Sequence, residues 1–115
     1  MFAAVRRGLL MEELALSAGD AQMRGEMFIC GVFSLLDRLL KQPFDELLKS
    51  VPVPQRVQQA LALGEGPFVP YLDLVRAIEQ GSAYEIGELA EQLMLSQGEI
   101  NRALLAALKV AGQLD

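Results

Sequence analysis

Apolar side chains recur three and four residues apart along most of this 115-residue chain. That spacing places them on one face of an α-helix, whereas a half-buried strand alternates apolar and polar residues, and no stretch here does so. One region shows the two faces plainly, with Phe68, Leu72, Val75 and Ile78 on one side and Asp73, Arg76 and Glu79 on the other. The pattern predicts an all-α fold, a compact bundle of about six or seven helices.

Helix-breaking residues divide the first third of the chain. Gly19 and Asp20 end a first predicted helix over 3–17, and Pro43 ends a second over 22–42. The apolar stripe of the second helix is too broad for a helix that lies on a surface, so we expect this helix to be the central, most buried one. Its apolar positions are Phe28, Ile29, Val32, Phe33, Leu36, Leu39 and Leu40.

The middle of the chain is rich in turns. The segment Phe44–Lys49 and the prolines at 52 and 54 predict a compact connector, followed by a short helix over 55–63 that ends at Gly64. The glycines of Gly64–Pro67 indicate a turn rather than a phosphate-binding loop, because the lysine and the serine or threonine of such a loop are missing. Gly81 ends the next helix, which begins near Phe68.

Two capping boxes mark the last two helices, over 83–94 and 97–112. Each pairs a serine with a glutamate three residues later, Ser82 with Glu85 and Ser96 with Glu99. We expect the two helices to pack as an antiparallel pair through their apolar faces. These faces contain Ile86, Leu89, Ala90 and Leu93 on one helix and Ile100, Leu104, Leu108 and Ala111 on the other.

Length and composition bound the class of protein. A chain of 115 residues suits one domain, and neither a repeat nor a long linker divides residues 1–115, so a single helical module is expected. The longest uncharged apolar run lies between Glu26 and Asp37, about half the ~20 residues that a membrane span needs. The single cysteine, Cys30, cannot close an internal disulfide, which fits a reducing, cytoplasmic compartment and a small core residue.

Catalytic chemistry lacks its usual side chains in this sequence. The chain contains no histidine and one cysteine, so neither a typical zinc site nor an imidazole-based triad can be built. The glutamates at 12, 13, 85, 88 and 91 fall on predicted outward helix faces, where solvation explains them better than magnesium binding does. The sequence therefore predicts neither an enzyme nor a cofactor.

A helix-turn-helix DNA-binding domain over residues 84–112 is the alternative reading. The short helix, the turn that begins at Ser96 and the following helix have the outline of that motif. Only Asn101, Arg102 and Lys109 are suitable DNA contacts on the second helix, and residues 84–115 hold five acidic against two basic side chains. The net charge of −5 also disfavours nucleic acid as a partner.

Residues 30–86 resemble the carboxyl-terminal half of an HDOD domain, an HD-related output domain, in the version that follows EAL domains in bacterial cyclic di-GMP signalling proteins. The matching elements are Gly31 with Ser34-Leu35-Leu36-Asp37, Pro43 with Glu46-Leu47-Leu48, Pro52 through Val57 to Ala60-Leu61, and Gly64-Glu65-Gly66-Pro67. The family is similar to HD hydrolases that have lost their metal ligands. The resemblance implies a non-catalytic output module that passes signals through contacts with neighbouring domains or other signalling proteins.

Neither the EAL motif nor the amino-terminal half of an HDOD domain is found in these residues, so we expect the chain to be a fragment. An incomplete core would expose apolar surface, in agreement with a hydrophobic content of 52%. Phe2, Val5 and Leu9 of the first helix are the predicted interaction surface, and the isolated chain is predicted to form a homodimer. Neither a membrane nor nucleic acid is an expected partner.

Overall fold

The computed structural model describes residues 2–17, 20–35, 41, 46 and 52–112. Within these ranges the chain forms helices and turns and no strand, which confirms the predicted all-α fold. The helices are α1 (Phe2–Leu14), α2 (Ala21–Phe33), α3 (Gln55–Gln58), α4 (Val69–Gln80), α5 (Ala83–Gln92) and α6 (Gln97–Gly112). A 3-10 turn (Ala15–Ser17) extends α1, and a π-helical turn (Gln59–Leu63) extends α3.

Several predicted helix boundaries are confirmed. Gly64 and Gly81 follow the π-helical turn and α4 with φ of 65° and 74°, a left-handed conformation that costs glycine little. At the start of α6 the backbone N–H of Glu99 donates to Ser96 Oγ (3.1 Å), and the backbone N–H of Ser96 donates to Glu99 Oε1 (3.3 Å). The capping box at α5 forms only in part, because the backbone N–H of Ser82 donates to a carbonyl at the end of α4.

Helix α2 ends at Phe33, earlier than the predicted residue 42. Its start is capped by Asp20, whose carboxylate accepts a hydrogen bond from the backbone N–H of Met23 (2.8 Å). Its last turn is closed by Ser34, whose Oγ donates to the carbonyl of Gly31 (2.7 Å) and whose backbone N–H donates to the carbonyl of residue 30. The predictions for Leu36, Leu39, Leu40, Pro43 and, apart from Glu46, the segment Phe44–Lys49 lie outside the described residues.

Helix α1 is the centre of the described bundle, so the prediction that α2 is the central, most buried helix is wrong. α1 packs against α2 and α6 and also contacts α4, and it buries Leu10, Met11 and Leu14 almost completely. The reason is that α2 presents glycine to α1 and leaves its large side chains to either side of the crossing. Four of its large apolar side chains are therefore only partly buried: Phe28, Ile29, Val32 and Phe33.

Two glycines bring α1 and α2 into backbone contact. A Cβ atom at Gly31 of α2 would lie 2.6 Å from Gly8 Cα and 2.9 Å from the carbonyl oxygen of Arg7, both in α1. A Cβ atom at Gly8 would lie 2.7 Å from Val32 Cγ2. No larger residue fits at either position unless the helices separate, because carbon atoms pack at about 3.5–4.0 Å.

Helices α5 and α6 do not form the predicted antiparallel pair. α5 packs against α4, and α6 packs against α1. The α6 surface that meets α1 contains alanines, which permit a close approach, and Arg102 of α6 is joined to Glu13 of α1 at one end of the contact. None of the helices in the described part of the chain is long and apolar enough to span a membrane.

Candidate interaction surface

A buried arginine joins three helices beside the glycine crossing. Arg7 of α1 is 9% exposed, and its Nε donates to Glu79 Oε2 of α4 (3.0 Å) while its Nη2 donates to the other carboxylate oxygen. Its Nη1 donates to Ser34 Oγ (2.9 Å), at the end of α2. This two-pronged contact with a carboxylate is geometrically specific, so Arg7 fixes the positions of α1, α2 and α4 relative to one another.

A groove opens above this arginine, between α4 and α6, and α1 forms its floor. We call it the α6 groove. It has a volume of about 270 Å³ and is lined by Arg6, Arg7, Leu10, Ile78, Glu79, Leu104, Ala107 and Leu108. Its walls are apolar apart from the charged groups at one side. The volume lies just below the ~300–1,000 Å³ typical of small-molecule sites, so the groove suits a few apolar side chains better than a drug-sized ligand.

Apart from Ile100 in its first turn, helix α6 directs small residues inward and large ones outward. Its buried positions are Ile100, Ala103, Ala107 and Ala111. The predicted inward face is wrong at Leu108, which is 47% exposed, and only partly right at Leu104, which is partly buried. Leu105 is 68% exposed. The physical reason is the close packing on α1, which admits alanine and excludes leucine. We call Leu104, Leu105 and Leu108 the leucine face of α6; it borders the α6 groove.

The charges that flank the leucine face are basic. Lys109 is exposed and has no ion-pair partner among the described residues. Arg102 donates to Glu13 Oε2 (3.2 Å) and to the carbonyl of the same residue (2.9 Å), so it is held toward α1. The one carboxylate of α6, Glu99, lies in its first turn and accepts the capping hydrogen bond from Ser96.

A second ion pair lies on the other side of α2. Glu26 is 8% exposed and accepts a hydrogen bond from Arg56 Nε (2.9 Å), which lowers the pKa of the carboxyl group despite its burial. The Arg56 guanidinium also lies over the ring of Phe68, 5.0 Å from its centroid. This pair connects α2 to α3 and has a structural role.

A polar cleft of about 380 Å³ lies between α4 and α5. Among the residues that line it, Asp73 and Arg76 form a weak pair at 3.9 Å, and Glu88 accepts a hydrogen bond from the hydroxyl of the neighbouring Tyr84 (2.7 Å), which raises the pKa of the tyrosine. No group of three or more metal-binding side chains is found in the described part of the chain. Burial raises the pKa of the Cys30 thiol to about 12, so the thiolate form required of a nucleophile is disfavoured.

The predicted interaction surface and the observed groove lie on different faces. Val5 and Leu9 of α1 are partly buried, Leu9 packs against the core, and the side chain of Phe2 lies outside the described residues. Neither Val5 nor Leu9 lines the α6 groove. Sequence reasoning missed Leu105, although one signal was present: alanines and leucines both recur at helical spacing in α6, and only one set can face inward.

The structure gives no support to the DNA-binding alternative. The predicted recognition helix, α6, packs along α1, and Arg102 is engaged with Glu13. Asn101 is exposed and accepts a hydrogen bond from the side chain of Gln97 (3.2 Å). Only Lys109 among the predicted contacts remains without a partner in the described residues.

Comparisons with known proteins find two relatives. The chain is 34% identical over 87 residues to YuxH, an uncharacterised protein of Bacillus subtilis; the match covers 76% of this chain and 21% of the relative. It is 29% identical over 84 residues to the cyclic di-GMP phosphodiesterase CdgJ of Vibrio cholerae, which covers 73% of this chain and 19% of the relative. No protein-family model and no solved structure matches the chain.

The chain spans about a fifth of the length of the curated relatives that it matches. The similarity thus concerns one segment of each longer protein and includes most of the helical bundle described above. The described features of this segment are an all-α bundle, an arginine that ties three helices together, and an apolar groove beside an exposed leucine face. The chain is therefore similar to a segment of a cyclic di-GMP phosphodiesterase.

Proposed function

We propose that the chain is a non-catalytic regulatory module of cyclic di-GMP signalling, equivalent to the carboxyl-terminal part of an HDOD domain. The similarity to part of the cyclic di-GMP phosphodiesterase CdgJ is the observation that carries this proposal. Two residues of the HDOD resemblance also support it, since Gly31 permits the α1–α2 crossing and Ser34 accepts the hydrogen bond from Arg7. Such residues hold a scaffold together and take no part in chemistry.

The module would act by contact with other domains of the same protein, including an EAL phosphodiesterase domain outside this chain, or with other signalling proteins. A contact in the α6 groove touches α1, α4 and α6 together, and Arg7 connects that site to the end of α2. A bound partner that favours one arrangement of these helices shifts the population of that arrangement. The ion-pair network thus offers a route from an outer surface to the helix crossing.

The primary test combines two measurements. The purified chain is incubated with cyclic di-GMP, and we expect no hydrolysis above the buffer control. In the natural host, the codons for these residues are deleted from the chromosome, and intracellular cyclic di-GMP is measured by mass spectrometry. We expect the deletion to change the level. Hydrolysis by the purified chain, or an unchanged level after deletion, would contradict the proposal.

Self-association is a separate part of the proposal. We expect the isolated chain to form a homodimer through Phe2, Val5 and Leu9, because Val5 and Leu9 are only partly buried and a contact there would cover their remaining exposed surface. Light scattering over a range of concentrations measures the mass. Leu9→Asp should give a monomer, while Leu63→Asp, on the π-helical turn, should leave the dimer intact. A monomeric wild-type chain would refute this interface.

A further inference from the structure

The leucine face of α6 departs from the rule that large apolar side chains point inward. Leu105 and Leu108 are 68% and 47% exposed, and Leu104 and Leu108 line the α6 groove. Their spacing of one and three residues puts all three along one side of α6. Apolar surface that continues into a groove is typical of a site where another protein element docks.

The shape of this site favours a helix as the docking element. The groove lies between α4 and α6 and over α1, so a helix placed there would pack against three helices at once. An amphipathic helix supplies apolar anchors three and four residues apart along one face, and the groove offers apolar side chains to them from α6 (Leu104) and from α4 (Ile78). The volume of about 270 Å³ accommodates a few such side chains.

The charges around the site favour an acidic partner. Lys109 flanks the leucine face, is exposed and has no ion-pair partner among the described residues, whereas Arg102, on the same flank of α6, is paired with Glu13. Arg6, also exposed, lines the groove. The groove's carboxylate, Glu79, is neutralised by Arg7. The chain has a net charge of −5, so the positive charge of Lys109 beside the leucine face is a local exception, and a carboxylate on the partner would complement it.

A second copy of the chain fits this face less well. In a two-fold symmetric contact centred on Leu105, Lys109 of each copy would lie opposite Asn101 of the other, and Arg102 opposite Leu108. Lys109 of each copy would then meet a neutral side chain, and the carboxylate that α6 itself carries, Glu99, lies in the first turn as part of the capping box. Charge complementarity therefore separates an acidic helix from self-association.

We infer that the α6 groove and the leucine face bind an acidic amphipathic helix of a partner protein or a neighbouring domain. This inference rests on the proposed function, in which the chain acts through contacts, and it specifies the chemistry of the contact. The partner helix carries large apolar residues along one stripe and glutamate or aspartate beside that stripe. Its carboxylates pair with Lys109, and its apolar residues cover the leucine face.

The test uses designed probes and the whole chain. A fluorescein-labelled peptide of about 18 residues, long enough to form a helix, carries leucine at every third and fourth position and glutamate beside the leucines. A second peptide has lysine in place of each glutamate. Fluorescence anisotropy measures binding to the wild-type chain, and we expect the acidic probe to bind more tightly, with a preference that declines as salt is added.

Matched variants locate the site. Leu105→Asp should weaken binding of the acidic probe by about tenfold, because it places a charge in the apolar contact. Leu63→Asp is the control, since Leu63 is 67% exposed and belongs neither to the leucine face nor to the groove lining. Lys109→Glu should weaken the acidic probe by about threefold and strengthen the lysine probe, as expected of an exposed ion pair. Circular dichroism confirms that each variant is folded.

Three outcomes would overturn the inference. The first is equal binding of both probes, and the second is an equal loss of binding in Leu63→Asp and Leu105→Asp. The third is a wild-type dimer that Leu105→Asp converts to a monomer, because that result would assign the leucine face to a second copy. Failure of the probes to bind while deletion of the module still changes intracellular cyclic di-GMP would remove the groove and leave the proposed function intact. An unchanged cyclic di-GMP level would remove the proposed function itself.

Discussion

Replacing Gly31 with alanine places a methyl group against the backbone of α1. The new Cβ would lie 2.6 Å from Gly8 Cα and 2.8 Å from its nitrogen, and these atoms cannot rotate away as a side chain would. Ordinary carbon contacts need about 3.5–4.0 Å, so α1 and α2 must separate by about 1 Å. Because Arg7 and Ser34 lie beside the crossing, the separation also stretches their hydrogen bond of 2.9 Å.

The expected cost follows from three contributions to the free energy of unfolding. Overpacking costs about 1–3 kcal/mol, and loss of a hydrogen bond to a charged group costs about 1.5–3 kcal/mol. Alanine returns about 1 kcal/mol through its higher helix propensity. We therefore expect Gly31→Ala to reduce the free energy of unfolding by about 1.5–5 kcal/mol and Tm by about 6–20 °C.

Gly25→Ala provides the matched control in the same helix. A Cβ atom at Gly25 meets nothing within 4 Å, so only the helix-propensity gain applies. We expect this variant to be more stable than wild type by about 0.5–1 kcal/mol. Urea unfolding followed by circular dichroism measures all three proteins. If Gly31→Ala is as stable as Gly25→Ala, the backbone contact between α1 and α2 does not exist and the reasoning fails.

Three further predictions concern buried polar groups. The hydrogen bond from Arg56 lowers the pKa of Glu26. The pair therefore stabilises the fold fully at pH values above the ordinary pKa of 4.5, and this stabilisation is lost as the pH falls through the lowered pKa. Urea unfolding at several pH values should show that Arg56→Gln loses less stability in acid than wild type does. Cys30 is fully buried, and its thiol pKa is raised to about 12, so a thiol reagent should label it only after denaturant unfolds the chain, and rapid labelling of the native protein would contradict this. Arg7→Met should reduce the free energy of unfolding by about 2 kcal/mol. This is less than the loss of a fully buried ion pair would cost, because the Glu79 side chain is 37% exposed. A thermal melt equal to that of wild type would contradict a tethering role for Arg7.

Features set by near neighbours in the chain were predictable from the sequence. The capping box of Ser96 and Glu99 and the stops at Gly64 and Gly81 depend on backbone groups a few residues away, so the same residues produce the same local structure in many folds. The helical class was predictable for the same reason, because the spacing of apolar residues reports helix geometry directly. At Ser82 the capping box forms only in part, because the carbonyl of Ala77 takes the backbone N–H that Glu85 would otherwise bind.

Features that depend on distant partners were decided by the tertiary structure. The sequence of α6 offers an alanine stripe and a leucine stripe, and the close approach of α1 determines that the alanines face inward and Leu105 and Leu108 face outward. The ion pair of Arg7 with Glu79 joins residues 72 positions apart, and no local spacing indicates it. The sequence by itself therefore determined the helical class and the helix ends that depend on local capping, while the packing of α1 against α2 and α6 decided which faces form the core and which remain exposed.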